Sequence, residues 1–292
     1  MGDGGDRWSR WLGERRFGGN PEQRARMFSD LLLPLRDRVL DAAEPLAGAR
    51  VLDVGCGDGL IAFGALDRGA GEVIFSDVSA DLLAECARIA DGDGVADRST
   101  FLRAPAEDLQ PVASASVDAV TVRSVLIYVR DKRACFGEFA RVLRPGGRLS
   151  IFEPINRFGQ AQWAGSRFSG IDVTPVQPLV DRLREAYRRG LPADDPMLDF
   201  DERDLFALAE EAGFYPVELS LAAEVRPARA AAWDVFANSA GNPNVPTLAE
   251  AMAETLLPAE RDRLTAYLRP IVESGGGTRR MAHAYLRGVR AE

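Results

Sequence analysis

Basic side chains other than arginine are almost missing from this chain. Lys132 is the sole lysine and His283 the sole histidine among 292 residues. The scarcity of lysine reflects a GC-rich genome rather than a function, and the lone histidine leaves the inventory of general bases short. Cysteine is scarce too: Cys56, Cys86 and Cys135 form no Cys-x-x-Cys pair and show no metal-ligand spacing, so no metal is expected. Their odd number fits a reducing compartment. No apolar run approaches the roughly 20 residues of a membrane span. The start, MGDGGDRWSRW, lacks the apolar core of a signal peptide. A cytoplasmic protein with no membrane partner is the expectation. Excess positive charge is absent as well, the net charge being −8. Phosphate binding needs a local basic excess, so no nucleic-acid partner is expected.

What the chain does have is a regular alternation of short apolar runs and amphipathic stretches. Residues 7–43 read as helical, broken at Gly18-Gly19-Asn20-Pro21. From Ala49 onward strands are predicted at 51–54, 72–76, 100–102, 117–122 and 148–152. Helices are predicted at 60–66, 80–90 and 132–143, the last stopped by Arg144-Pro145-Gly146-Gly147. Such alternation predicts an α/β fold with a mostly parallel sheet covered on both faces. Beyond Glu153 it breaks: helices are predicted at 178–189 and 201–212, a strand at 217–221, mostly helix over 226–277, and a last strand at 280–286.

The segment Val51-Leu52-Asp53-Val54-Gly55-Cys56-Gly57-Asp58-Gly59 carries the most information. A strand runs into Gly-x-Gly-x-Gly and a helix begins at once. Glycines let a ligand lie against the main chain, and the helix start offers free N–H groups and partial positive charge. Dinucleotide loops use Gly-x-Gly-x-x-Gly, whereas the sixth position here is Leu60, which disfavours NAD and FAD. At the end of the second strand, Asp77 is placed to accept hydrogen bonds from both hydroxyls of a ribose, and Val78 to cover an adenine face.

With these motifs the chain resembles the class I S-adenosylmethionine-dependent methyltransferases of the methyltransferase type 11 kind. The matching pieces are VLDVGCGDG, Asp77, AEDL at 106–109, SVDAVTVRSVLIYV at 116–129 and FARVLRPGGRLSIFEP at 139–154. The resemblance implies a Rossmann-like seven-stranded sheet with helical cap insertions. It implies a lid over 1–48, a cofactor-binding core over 49–154, cap insertions at 155–199 and 226–278, core continuation at 200–225 and the last core strand at 279–292. S-adenosylmethionine is the implied cofactor and S-adenosylhomocysteine the product. Gly55, Cys56 and Gly57 would pack on the methionine part and ribose, and Asp53 would reach the amino group. Asp77 would hold the ribose and Val78 the adenine, with Ala106 and Glu107 at the adenine edge and Arg123 and Ser124 flanking the methionine. Pro105 departs from relatives that carry Asp there, leaving Glu107 or Asp108 for the adenine amino group.

Methyl transfer from a sulfonium asks mainly for alignment in a site closed to water. Tyr128, after the fourth strand, and Glu153, ending the fifth, are the catalytic candidates. A buried hydrogen-bonding carboxylate is the other reading of Glu153. His283 is read as structural, on a last strand expected to lie away from the methyl group. Trp8, Trp11, Arg16 and Phe17 are read as lining a substrate pocket with Tyr128, Asn156, Trp163, Phe168, Trp233 and Phe236, core packing being the rival role for the aromatics. The expected function is methylation of a small-molecule acceptor at N, C or O in specialised metabolism. Non-methylating use of the cofactor, in cyclisation or elimination, and a silent binding module are the alternatives. The helical additions allow a homodimer.

Overall fold

The structure is a computed structural model and describes residues 6–16, 18, 20–189 and 194–292. It divides into two compact units. A sheet unit comprises 28–155, 196–222 and 283–292, and a helical unit comprises 1–27, 156–195 and 223–282.

The sheet unit is built on β1 (Arg50–Val54), β2 (Glu72–Asp77), β3 (Ser99–Arg103), β4 (Val117–Arg123), β5 (Leu143–Pro154), β6 (Phe214–Pro227) and β7 (Thr278–Arg290). Their order in the sheet is β3-β2-β1-β4-β5-β7-β6. The first five are parallel, and β7 runs antiparallel to β5, from Arg148 opposite Val289 to Pro154 opposite His283. This is the class I methyltransferase arrangement expected from the sequence. In β1, Val51, Leu52, Asp53 and Val54 are all buried, as befits a central parallel strand covered on both faces.

The covering helices are α1 (Leu33–Ala43), α2 (Leu60–Asp67), α3 (Ala80–Gly92), α4 (Lys132–Val142) and α5 (Glu202–Glu211). Side chains that compete with the backbone elsewhere start them here: Ser79 Oγ accepts from Leu82 N at 3.1 Å and Asp131 from Ala134 N at 2.9 Å. Helix α1, expected within the N-terminal lid, packs in the sheet unit instead. Its Leu35, Val39, Leu40 and Ala43 join Ile61, Ala65, Phe75 and Phe152 in one core, and Ser150 Oγ donates to Val39 O at 2.7 Å. The run Arg144–Gly147, read as a helix stop, lies inside β5, where the register with β4 shifts between Val117 and Ala119. A bulge admits these residues without ending the strand. The sole lysine, Lys132, is buried and spends its donors on Val129 O, Pro196 O and Asp199, which ties 196–199 to the start of α4.

The helical unit has its own core, in which Phe168, Val180, Leu183, Trp233, Met252, Leu264 and Leu268 are buried. They come from a short hairpin (Arg167–Phe168 with Ile171–Asp172) and from helices Gln177–Arg189, Trp233–Asn238, Leu248–Thr255 and Pro258–Glu273. At the hairpin tip Gly170 sits at φ +79°, and a Cβ there would overlap the backbone carbonyl oxygen of Thr278. Gly170→Ala is therefore expected to lower the unfolding free energy of this unit by about 2 kcal/mol or more. All four tryptophans (8, 11, 163 and 233) belong to this unit, so urea denaturation followed by intrinsic fluorescence reads it directly. A transition unchanged within 0.5 kcal/mol, roughly the span of a neutral surface change, would refute the close approach. Among the described residues no helix is long and apolar enough to cross a membrane.

Candidate functional site

The parallel strands β1, β4 and β5 end on one edge of the sheet, and the sequence motifs converge there. Leaving β1, the chain passes through Gly55 (φ +65°), Gly57 (φ +56°) and Gly59 (φ +79°), all in the left-handed region that side chains disfavour. A Cβ on Gly55 would overlap Val125 Cγ2, so the loop lies flat against the turn that follows β4. Cys56 N donates to Ser76 O at 2.9 Å, which ties the loop to β2. Asp77 completes the fold-back: its Oδ2 accepts from Gly57 N at 2.9 Å and its Oδ1 from Ser79 N at 2.8 Å.

Beneath the loop, Asp53 is only 1% exposed. Its Oδ1 accepts from the Thr121 hydroxyl at 2.8 Å, while Oδ2 has no hydrogen-bond partner among the described residues. Burial, helped by the nearby Asp77 charge, pushes the Asp53 carboxyl up to about 7, against the Thr121 hydrogen bond, the Arg123 charge and the Ala62 backbone N–H, which pull it down. Ser76 Oγ is likewise buried without a partner. Arg123 ends β4 with a mostly buried side chain and lies 3.8 Å from Asp58 Oδ1. Ser124 follows at φ +57°, an unusual place for a residue with a side chain, and its N–H donates to Phe152 O at 2.9 Å. An edge that presents a buried carboxylate oxygen with spare acceptor capacity beside a glycine-rich main chain is suited to a ligand carrying an ammonium and hydroxyl groups.

Glu153 differs from its catalytic reading. It is fully buried, and its carboxylate accepts from Val125 N at 2.7 Å, Leu126 N at 2.8 Å and Ile127 N at 3.4 Å. Burial pushes it up to about 7 against those three N–H groups. Its oxygens are committed to the backbone, so it holds the turn rather than meeting an acceptor. Tyr128, the other catalytic candidate, closes that turn (Leu126–Tyr128) and is half-buried. His283 stands opposite Pro154 at the carboxyl end of β5, its ring 5.2 Å from that of Phe152. It therefore lies on the same sheet edge as the glycine loop, not away from it.

Past β2, Val78 is 44% exposed, Ala106 is buried, and Pro105, Glu107 and Asp108 are exposed. Spacing gave no reason to pair any of the cysteines, yet Cys56 and Cys86 meet under the loop. Cys86 Sγ donates to Gly57 O at 3.4 Å, and the hydrogen bond between the two thiols together with burial raises Cys56 well above the ordinary thiol range. Both are free thiols, and no group of side chains among the described residues is fit to hold a metal ion. Thr121, Ser76, Val125 and Cys86 are parts of the site that sequence reasoning missed.

Of the expected pocket residues, Phe168 and Trp233 are spent on the core of the helical unit, with Phe236 stacked on Trp233 at 6.0 Å. Trp11 is buried, donates its indole N–H to Ala240 O at 2.9 Å and meets Trp8 edge-on, with Arg16 above its ring. Trp163 is half exposed, and Asn156 Nδ2 is buried without a partner. Phe17 lies outside the described residues.

Residues 52–151 match the family model described as a methyltransferase domain. The chain is 32% identical over 187 residues to the ubiquinone/menaquinone biosynthesis C-methyltransferase UbiE of Cereibacter sphaeroides, an alignment covering 61% of this chain and 71% of that one. It is 36% identical over 115 residues to the tRNA 5-carboxymethoxyuridine methyltransferase of Escherichia coli, covering 39% and 43%. Among solved structures it superposes with a TM-score of 0.53 on a geranyl diphosphate methyltransferase solved with GPP and sinefungin, at 18% identity, covering 94% of this chain and 84% of that one.

Proposed function

The chain belongs to the class I S-adenosylmethionine-dependent methyltransferases, and from that premise we propose that it transfers a methyl group to a small-molecule acceptor at carbon, nitrogen or oxygen. When bound, S-adenosylmethionine supplies an electrophilic methyl group on a sulfonium. The chain's own part is to hold, align and keep dry. The buried, unpartnered Asp53 Oδ2 beside the glycine loop carries this reading. It would take the cofactor's ammonium, Asp77 would accept from the ribose hydroxyls, and Val78 and Ala106 would border the adenine. With Pro105 in place of a carboxylate, the exposed Glu107 is the acceptor left for the adenine amino group. Arg123 and Ser124 would flank the methionine moiety, and Tyr128 would face the acceptor.

Two observations support a small acceptor over a nucleic acid. The relative aligned over the greater length acts, by its name, in quinone biosynthesis, and the net charge of −8 opposes a polyanion. The helical unit falls outside the segment matched by the family model and would carry acceptor specificity. The test is incubation with radiolabelled S-adenosylmethionine and, in parallel, a metabolite extract and total tRNA. Label in the small-molecule fraction with release of S-adenosylhomocysteine is expected. Label in tRNA alone would overturn the acceptor class, and methylthioadenosine in place of S-adenosylhomocysteine would overturn methylation.

A pH dependence follows from Asp53. An ammonium partner favours the ionised carboxylate, so binding expels the proton that burial retains up to about 7. Affinity for S-adenosylmethionine is expected to rise as pH increases from 6 through 7, then to level and fall as the ligand's α-amino group, ordinarily near 7.7–8.0, loses its own proton. Calorimetry in buffers of different ionisation enthalpy measures the proton released. Asp53→Asn should remove both the release and the rising limb. An affinity that is flat across this range in the wild type would mean that Asp53 does not meet the ammonium.

A further inference from the structure

The helical unit holds a small cavity of its own, of about 150 Å³, lined by Ala161, Gln162, Arg167, Gly170, Thr278 and Arg280. No carboxylate is among the lining residues. Among the lining residues, Arg280 has its Nε buried with no hydrogen-bond partner among the described residues, and its guanidinium lies over the Phe158 ring, 5.0 Å from its centre. Its main chain is fixed by the Gln162 side chain, which accepts from Arg280 N at 3.2 Å and donates to Arg280 O at 3.4 Å. Arg167 stands exposed at the rim, its Nη1 donating weakly to Gly170 O at 3.4 Å. The neighbouring carboxylate, Asp172 across the hairpin, accepts from the N–H and hydroxyl of Thr174 and also feels the Arg167 charge, so Arg167 is partly balanced and Arg280 is the guanidinium in need of an anion.

Stacking on Phe158 accounts for the placement of Arg280 but not for its lack of a counter-charge among the described residues. A partly buried guanidinium without an acid is costly unless something supplies the negative charge. Two guanidinium groups and the Thr278 hydroxyl among the lining residues are donors of the kind oxyanions accept, Arg being suited to bidentate contact. The volume falls below that of a pocket for a whole drug-sized molecule, so it fits an anionic group and not a nucleotide.

We propose that this cavity is an anion site, binding a small oxyanion (a phosphate or a carboxylate) between Arg280 and Arg167. The assignment stands apart from the cofactor edge and from the proposed acceptor, because it is read by binding alone. Calorimetry on the full chain with inorganic phosphate in one arm and acetate in the other, at constant ionic strength, tests it and tells the two oxyanions apart. Saturable binding of at least one is expected, weakened roughly tenfold or more by Arg280→Gln and by Arg167→Gln. Arg280→Lys should retain an intermediate affinity. Because Arg167 is exposed, its variant keeps the test valid if loss of the Phe158 contact unfolds the Arg280 variant. Absence of saturable binding, or equal binding by wild type and the Arg167 variant, would overturn the site. So would binding of a short single-stranded RNA with neither small anion bound.

Discussion

Asp77→Ala is expected to weaken S-adenosylmethionine binding by roughly a hundredfold or more, the sum of two lost charge-assisted hydrogen bonds at about 1.5–3 kcal/mol each. The carboxylate already holds two backbone donors, Gly57 N at 2.9 Å and Ser79 N at 2.8 Å. A carboxylate has about four acceptor sites, and the proposed ribose contact draws on that capacity. Alanine removes the ribose acceptors and at the same time releases the second glycine of the loop from β2. The loss should therefore appear in the dissociation constant and also in faster proteolysis at the loop of the unliganded protein. Asp77→Asn separates the two contributions. It keeps one acceptor oxygen for a backbone N–H but turns a donor toward the other, so an intermediate loss of affinity is expected. Calorimetry on both variants, with circular dichroism to confirm folding, decides the matter. A folded Asp77→Ala protein that binds within threefold of wild type, well inside the loss of even one such bond, would remove Asp77 from the site.

Asp77 and the glycine loop were legible because their geometry is local. A strand, a turn with three left-handed residues and a helix start are all written within Val51–Leu60, and the acid follows at the end of the next strand. The partners of those residues were not legible, because register decides them. Asp53 meets Thr121 only because β1 and β4 align those two positions, 68 residues apart in the chain. Cys86 reaches Gly57 because α3 docks one face on the loop, and no spacing rule encodes docking. The aromatics of the helical segments show the same limit. Aromatic density marks Phe168 and Trp233 as apolar anchors, but whether they meet a ligand or the core depends on tertiary packing, and here they meet the core of the helical unit. The Gly-Gly pair at 146–147 read as punctuation, and the bulge in β5 absorbs it.

At Glu153 the structure decides between the two readings the sequence left open, and its removal is expected to cost about 3–5 kcal/mol of stability. A carboxylate at the carboxyl end of a parallel strand occupies the place where such folds put chemistry, so the sequence left a reacting group and a buried hydrogen-bonding carboxylate both open. The β4–β5 register instead sets it beneath the turn that leaves β4. There three consecutive N–H groups, of Val125, Leu126 and Ile127, have lost their sheet partners and take its oxygens. Glu153→Ala leaves all three unsatisfied in a fully buried place. Glu153→Gln restores one acceptor but aims an amide N–H₂ at a donor, so it should recover only part of the loss. The turn also bears Val125, whose side chain fills the space a Cβ on Gly55 would need, and Tyr128. Loosening it should loosen the glycine cradle, raising the dissociation constant for S-adenosylmethionine roughly tenfold at temperatures where the variant is still folded. Urea denaturation and calorimetry on one preparation distinguish the two roles. A variant with wild-type stability and cofactor affinity but no turnover would return Glu153 to the chemistry. A variant that is unstable and slack in its cofactor grip, with residual turnover once saturated, makes it the post that holds the turn in place.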